Sequence, residues 1–179
     1  MHYLVLIVIA LIGATIKVLK KRGEKKASYI LRIYLLWLIA WGIGAVSILG
    51  FVAHAFAADH TAMYIGWLPG SPFQFEIAVA NLAMGVLGLM CIWLEDQFWL
   101  ATIVSMTVFS WGAAYGHIRD IMINHNYAPG NAGAPLYMDL IAPAVFIILF
   151  IAYKVTKRHK AVPAKAKAKT RTKAKAKRK

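Results

Sequence analysis

The feature that most constrains this chain is a series of long apolar runs. Hydrophobic residues make up 60% of its 179 residues, and the mean hydropathy is +0.60. This composition is too apolar for an ordinary soluble domain, and a helix needs about 20 residues to cross a bilayer. We therefore predict an all-α integral membrane bundle, in which residues 1–156 form one domain of five transmembrane helices. The predicted helices are about 3–19, 28–58, 73–93, 98–120 and 138–156.

The basic residues predict the orientation of this bundle. If the N-terminus lies outside, the connection 17–27, the turn 94–97 and the C-terminal tail all lie inside. Every lysine and arginine except Arg119 then falls at the inner side, which is the positive-inside bias of membrane proteins. We therefore expect a multi-pass protein of the cell membrane with its N-terminus outside and its C-terminus inside.

The tail 157–179 is Lys/Ala-rich low-complexity sequence with few apolar side chains to bury. We predict that it is cytoplasmic and disordered in isolation. Anionic lipid headgroups attract such segments by about 1 kcal/mol per basic residue, and an acidic partner is an alternative. No aromatic residues are present to stack on bases, which disfavours specific nucleic-acid binding. The residues predicted to contact the membrane surface or a partner are Lys165, Lys167, Lys169, Arg171, Lys173, Lys175, Lys177, Arg178 and Lys179.

Titratable residues gather at the predicted outer side of the bundle. His54 lies near the outer end of the second helix, Glu76 near the start of the third, and His117 and Asp120 near the end of the fourth. An ionised carboxylate inside a membrane helix costs several kcal/mol unless it is partnered. We therefore expect Glu76 to have a function. Asp120 lies one turn after His117 and could orient its imidazole. We predict an outward-facing polar pocket formed by these residues together with Asn81 and Asn131.

Several chemistries fit this pocket. Two imidazoles and a carboxylate suit Zn²⁺, Cu²⁺ or Fe²⁺, with His54, Glu76 and His117 as ligands, although no specific metal motif is present. A haem held between His54 and His117 is another hypothesis. A purely structural alternative has Glu76 half-solvated or paired with His117 or Arg119, and His117 capping its own helix.

Small residues indicate where helices approach each other. Such residues allow close packing of membrane helices, and G-x-x-x-G is a known contact pattern. The predicted contact positions are Gly42, Gly44 and Ala45 on the second helix, the face Gln74, Asn81, Gly85 and Gly88 on the third, and the pair Gly112 and Gly116 on the fourth.

Four sequence motifs resemble those of a family of small multi-span bacterial and archaeal membrane proteins of unknown function. They are GSPFQFE (70–76), NLAMG (81–85), GHIRD (116–120) and NYAPGNAG (126–133). The resemblance extends over about 64–153 and leaves out the first helix and the tail. It brings no activity with it, but it implies that Glu76, Asn81, His117 and Asn131 are the polar positions to test.

These observations lead to a ranked set of functions. First is a non-catalytic or accessory subunit of a membrane complex, carrying an outward-facing polar His/Glu site. The alternative is a metal- or haem-binding protein, or a carrier of a small solute or protons, that uses His54, Glu76 and His117. An enzyme ranks third, because the sequence contains no nucleophile–base pair, phosphate-binding loop or cofactor motif.

Overall fold

The structure, a computed structural model, describes the backbone of residues 2–176 and the side chains of residues 3–158. This part of the chain is helical, without strands. A π-helical segment, Ile39–Ala45, joins α2 and α3 into one long helix. The α-helices are α1 (His2–Lys20), α2 (Ala27–Leu38), α3 (Val46–Phe56), α4 (Ala58–Ile65), α5 (Phe73–Met90), α6 (Gln97–Asn124) and α7 (Ala134–Ala176).

In the described part of the chain, five helices are long and apolar enough to cross a membrane, which confirms the predicted all-α architecture. They are Tyr3–Lys20, Ala27–Phe56, Phe73–Met90, Gln97–Asn124 and Ala134–Arg158. The segment 59–72, expected to be a loop, instead begins with the two-turn helix α4. The basic side chains of 165–179, assigned to membrane-surface or partner binding, lie outside the described residues.

The long helix formed by α2, the π segment and α3 is the centre of the bundle. Its first half packs against α1 and α7, its second half packs along α5, and α6 packs mainly against α7. Buried apolar side chains from these helices form the main core. They are Leu35, Ile39, Ile43, Cys91, Trp99, Ile103, Phe146, Phe150 and Tyr153.

The backbones of α5 and the π segment come into direct contact at two glycines. A Cβ atom added to Gly88 would lie 2.5 Å from the backbone nitrogen of Gly44, so no larger residue fits at this crossing. Farther along the same face, Asn81 lies against Gly50. The predicted seam on α5 is therefore confirmed. By contrast, a Cβ atom added to Gly112 or Gly116 would meet nothing within 4 Å in the described part of the chain, so the predicted helix contact at this pair is wrong there.

Ion pairs hold together the end of the bundle at which the chain turns between α5 and α6. Arg32 of α2 binds the Glu95 carboxylate through two nitrogens, and its Nε lies 2.9 Å from Oε2. Lys157 of α7 donates to Asp96 at 2.8 Å. Hydrogen bonds from Lys157 and then Lys154 lower the pKa of the Asp96 carboxyl. The basic segments of α2 and α7 therefore meet this turn at one end.

The contact between Gly44 and Gly88 leads to a test of the seam. We expect Gly88→Ala to lower the thermal unfolding midpoint in detergent, because the added methyl group would force the two backbones apart. Gly112→Ala is the matched control, since that position is open. It should leave the midpoint unchanged or raise it, because alanine favours a helix by about 1 kcal/mol over glycine. Equal effects of the two substitutions would contradict the packing described here.

Candidate functional site

The candidate site is a polar cluster at the end of the bundle opposite the ion pairs, where α6 ends and a loop leads to α7. His117 is on the last turns of α6, and Asn131 is in the loop. The Asn131 side chain is completely buried. Its Oδ1 lies 2.7 Å from His117 Nδ1, while its Nδ2 donates to the backbone oxygens of His117 (3.3 Å) and Asn126 (2.8 Å).

This arrangement determines where the imidazole carries its proton. Because Nδ2 of Asn131 faces two carbonyl oxygens, the amide group can be oriented in only one way, with Oδ1 as the acceptor. His117 Nδ1 must then be the donor. The other ring nitrogen, Nε2, lies 3.9 Å from Oδ2 of Asp139 on α7.

A neutral His117 would therefore point an Nε2 lone pair towards a carboxylate. At 3.9 Å the two atoms are too far apart for a hydrogen bond, but they form an ion pair when the imidazole is protonated. The two side chains are mostly buried, with 11% and 23% of their surfaces exposed, which strengthens their interaction. The cluster therefore brings an imidazole and a carboxylate together at a mostly buried position.

Ser110 and Tyr3 lie beside this pair. The Ser110 side chain, 1% exposed, interacts with the Asp139 carboxyl. Tyr3 of α1 interacts electrostatically with Asp139. Ser110 and Tyr3 therefore complete the polar surroundings of this carboxylate.

Asp120 fastens the loop rather than orienting His117 as expected. Its Oδ2 accepts from Asn126 at 2.7 Å and from the Trp67 indole at 3.3 Å, and its Oδ1 accepts from Asn124 at 2.6 Å. The Asn126 amide also donates to the backbone oxygen of Ile65, at the end of α4. His117, Asp120 and Asn131 thus belong to one connected network, which fixes the loop over α4 and α6.

His54 belongs to a different pair, between α3 and α5. Its Nδ1 lies 2.5 Å from Oε1 of Gln74, which is almost fully buried. Gln74 had been assigned to the helix seam and Asn81 to the polar site. Asn81 itself lies in the seam, where its Nδ2 donates to the Ile77 backbone oxygen one turn earlier. Both residues therefore help to join α3 and α5.

Glu76 is not part of either cluster. Its side chain is exposed on the surface of α5, and within residues 3–158 it makes no hydrogen bond or ion pair. His54, Glu76 and His117 thus do not form the predicted common pocket. In the described part of the chain, no three His, Cys, Asp or Glu side chains are grouped to hold a metal ion. The zinc, copper and iron hypotheses therefore find no assembled ligand set there, while the haem hypothesis stays a prediction.

Two residues of the cluster, Asp139 and Ser110, were not among the predicted pocket residues. Asp139 is a carboxylate in the second turn of an apolar helix, which is the same signal that drew attention to Glu76. Ser110 is two turns before His117, and residues seven apart lie on one helix face. Both signals were present, but the faces that meet between α6 and α7 depend on the helix rotation.

The fold and the polar cluster define a class of protein. It is a small all-α bundle with five helices that could span a membrane and a polar network at one end. The chain belongs to DUF6790, a family of unknown function, whose match covers residues 1–159. The family therefore includes α1, which the resemblance over 64–153 had left out. No curated protein and no solved structure matches the chain.

The Asn131 network leads to a test by ¹⁵N NMR of histidine-labelled protein in detergent micelles. We expect Nδ1 of His117 to carry a hydrogen at every pH at which the fold persists, because Asn131 presents only an acceptor to it. The signals of His117 are assigned by their loss in His117→Gln. Exposed His60 is the internal control and should sample both neutral tautomers. Asn131→Ala should release His117 to do the same, whereas a neutral Nε2–H form in the unmodified protein would contradict the network.

Proposed function

We propose that the protein is a non-catalytic integral membrane protein that acts as an accessory subunit of a membrane complex. It would be a multi-pass protein of a bacterial or archaeal cell membrane, with its N-terminus outside and its C-terminus inside. The observation that carries the proposal is that hydrogen bonds hold the polar end of the bundle in one arrangement. There, one fully buried amide, that of Asn131, joins His117, Asn126 and the loop between α6 and α7.

A fixed polar end suits a structural role better than a catalytic one. Catalytic acids, bases and nucleophiles need an accessible reacting atom and a partner that activates it. Here the Nδ1 atoms of His54 and His117 face the amide oxygens of Gln74 and Asn131. The Asp120 carboxylate accepts hydrogen bonds from three side chains of its own and neighbouring segments. These side chains stabilise a surface, which a partner subunit could then recognise.

The charge distribution supports the proposed orientation. The ion pairs from Arg32 to Glu95 and from Lys157 to Asp96 bring the basic segments of α2 and α7 to the same end of the bundle. Basic residues near helix ends favour the inner side of a membrane. The tail 157–179 would then lie inside, where its lysines would contact anionic lipid headgroups.

A second candidate is a proton or small-solute carrier that uses the polar end. The arrangement of His117, Asp139 and Ser110 favours it, because the imidazole faces a carboxylate that also interacts with a buried hydroxyl. The neighbouring hydroxyls of α6 argue against a path to the other end. The Thr107 hydroxyl donates to a backbone oxygen of its own helix, and the Thr102 hydroxyl accepts a hydrogen bond from the Cys91 thiol. This candidate therefore ranks below the accessory subunit.

Native purification tests the proposed function. The full chain is extracted in a mild detergent at its natural expression level, and its mass and metal content are measured. We expect a single species of defined stoichiometry, larger than the 19.8 kDa chain with its detergent, and substoichiometric metal. A protein that is always isolated alone would contradict the subunit role. Stoichiometric metal that disappears in His117→Ala would instead favour the metal-binding alternative.

Cysteine labelling tests the orientation separately. Cys91 is buried, so Cys91→Ala provides a background into which His60→Cys and Ala164→Cys are introduced singly. In intact cells, a membrane-impermeant maleimide should label position 60 and should reach position 164 only after permeabilisation. The unsubstituted protein is the control for labelling of Cys91. Labelling of positions 60 and 164 in the same compartment would overturn the topology.

A further inference from the structure

An open cleft of about 910 Å³ lies at the polar end of the bundle, outside the His117 pair. It is bounded by the residues that follow α4, by the first turn of α5 and by the end of α6. One wall is polar, with Asp120, Asn124 and Asn126, and the other carries the apolar side chains of Leu68 and Phe73. Its occupant must therefore combine a polar group with an apolar one.

The charge of the polar wall selects a cation. Asp120 is the ionisable residue that lines the cleft, and neighbouring Arg119 does not line it. The Asp120 carboxylate is held in place by Trp67, Asn124 and Asn126. Each carboxylate oxygen can accept two hydrogen bonds, and among residues 3–158 Oδ1 accepts one, from Asn124. An N–H donor with a positive charge would complete this acceptor, whereas an anion would be repelled by it.

The apolar wall lies where lipid would be expected. Leu68 is 86% exposed and Phe73 is 48% exposed, although both are large apolar side chains. Exposed aromatic residues gather at this end of the bundle, and such residues mark the level of lipid headgroups in membrane proteins. They include Tyr64, Trp67, Phe73, Phe75, Tyr115 and Tyr127. A cation presented at this level with an apolar tail is a lipid headgroup.

We propose that this cleft binds a phospholipid with a primary amine in its headgroup, of the phosphatidylethanolamine type. The ammonium group donates to Oδ1 of Asp120, and the glycerol and upper acyl chain contact Leu68 and Phe73. Phosphatidylcholine carries the same charge but has no N–H to donate to the carboxylate. Phosphatidylglycerol is anionic and would face Asp120 with no cation beside it. The site therefore distinguishes lipids by the donor on the headgroup.

Lipid competition followed by native mass spectrometry tests this proposal. The full chain is delipidated in detergent and mixed with equal amounts of phosphatidylethanolamine, phosphatidylcholine and phosphatidylglycerol of identical acyl chains. We expect retention of the amine lipid about fivefold above each of the others, somewhat less than the tenfold that 1.4 kcal/mol represents, because the cleft is open. Equal retention of the three lipids, or a preference for phosphatidylglycerol, would overturn the proposal.

A pair of substitutions at one exposed position tests the role of the cleft. Leu68→Lys places a competing ammonium group beside Asp120 and should remove the preference for the amine lipid. Leu68→Gln is the matched control, because it alters polarity at similar length without adding charge, and it should retain the preference over phosphatidylglycerol. Position 68 is exposed, so both variants should fold, which circular dichroism would verify. A preference that persists unchanged in Leu68→Lys would overturn the assignment to this cleft.

Two further measurements complete the test. Asp120→Asn should also abolish the preference, and it is informative when the variant keeps the thermal unfolding midpoint of the unmodified protein. Should that variant fail to fold, the Leu68 pair still decides the question. Free ethanolamine phosphate, added at equal concentration, should not displace the lipid, because it lacks the apolar part. Displacement by this soluble compound would overturn the commitment to a lipid.

Discussion

The buried amide of Asn131 is the interaction on which the polar end depends. An amide taken out of water is costly unless its donors and its acceptor all find partners. Asn131 meets this requirement with two backbone carbonyls and one imidazole. The same hydrogen bond helps to orient the imidazole of His117, whose second nitrogen lies 3.9 Å from Asp139 Oδ2. Satisfying one neutral side chain thus helps to place a titratable one.

The elements that could be predicted from sequence are those determined by local pattern. The length of each apolar run indicates a membrane-crossing helix, whatever its neighbours are. The face of α5 could also be read, because residues at spacings of seven, four and three share one side of a helix. Gly88 and Asn81 on that face do contact the long helix, at Gly44 and Gly50.

The partners within the site could not be predicted in the same way, because they depend on how helices are rotated and where loops fold back. Glu76 and Asp139 carry the same sequence signal, yet Glu76 faces outward and Asp139 faces His117. Asp120 is well spaced to orient His117, but α4 and its following residues supply donors that compete for it. The importance of Asn131 came from motif resemblance, since nothing in its local sequence indicates burial.

The π-helical segment Ile39–Ala45 has a consequence for variation in chain length. A π turn contains one residue more than an α turn, so it absorbs an insertion without rotating the helix on either side. Loss of one residue there would restore regular α-helix and keep both Arg32 and His54 in their present registers. The same loss within α3 would turn His54 by about 100° away from Gln74. Homologues that differ by a single-residue gap in this helix are therefore expected to carry the gap at the π segment.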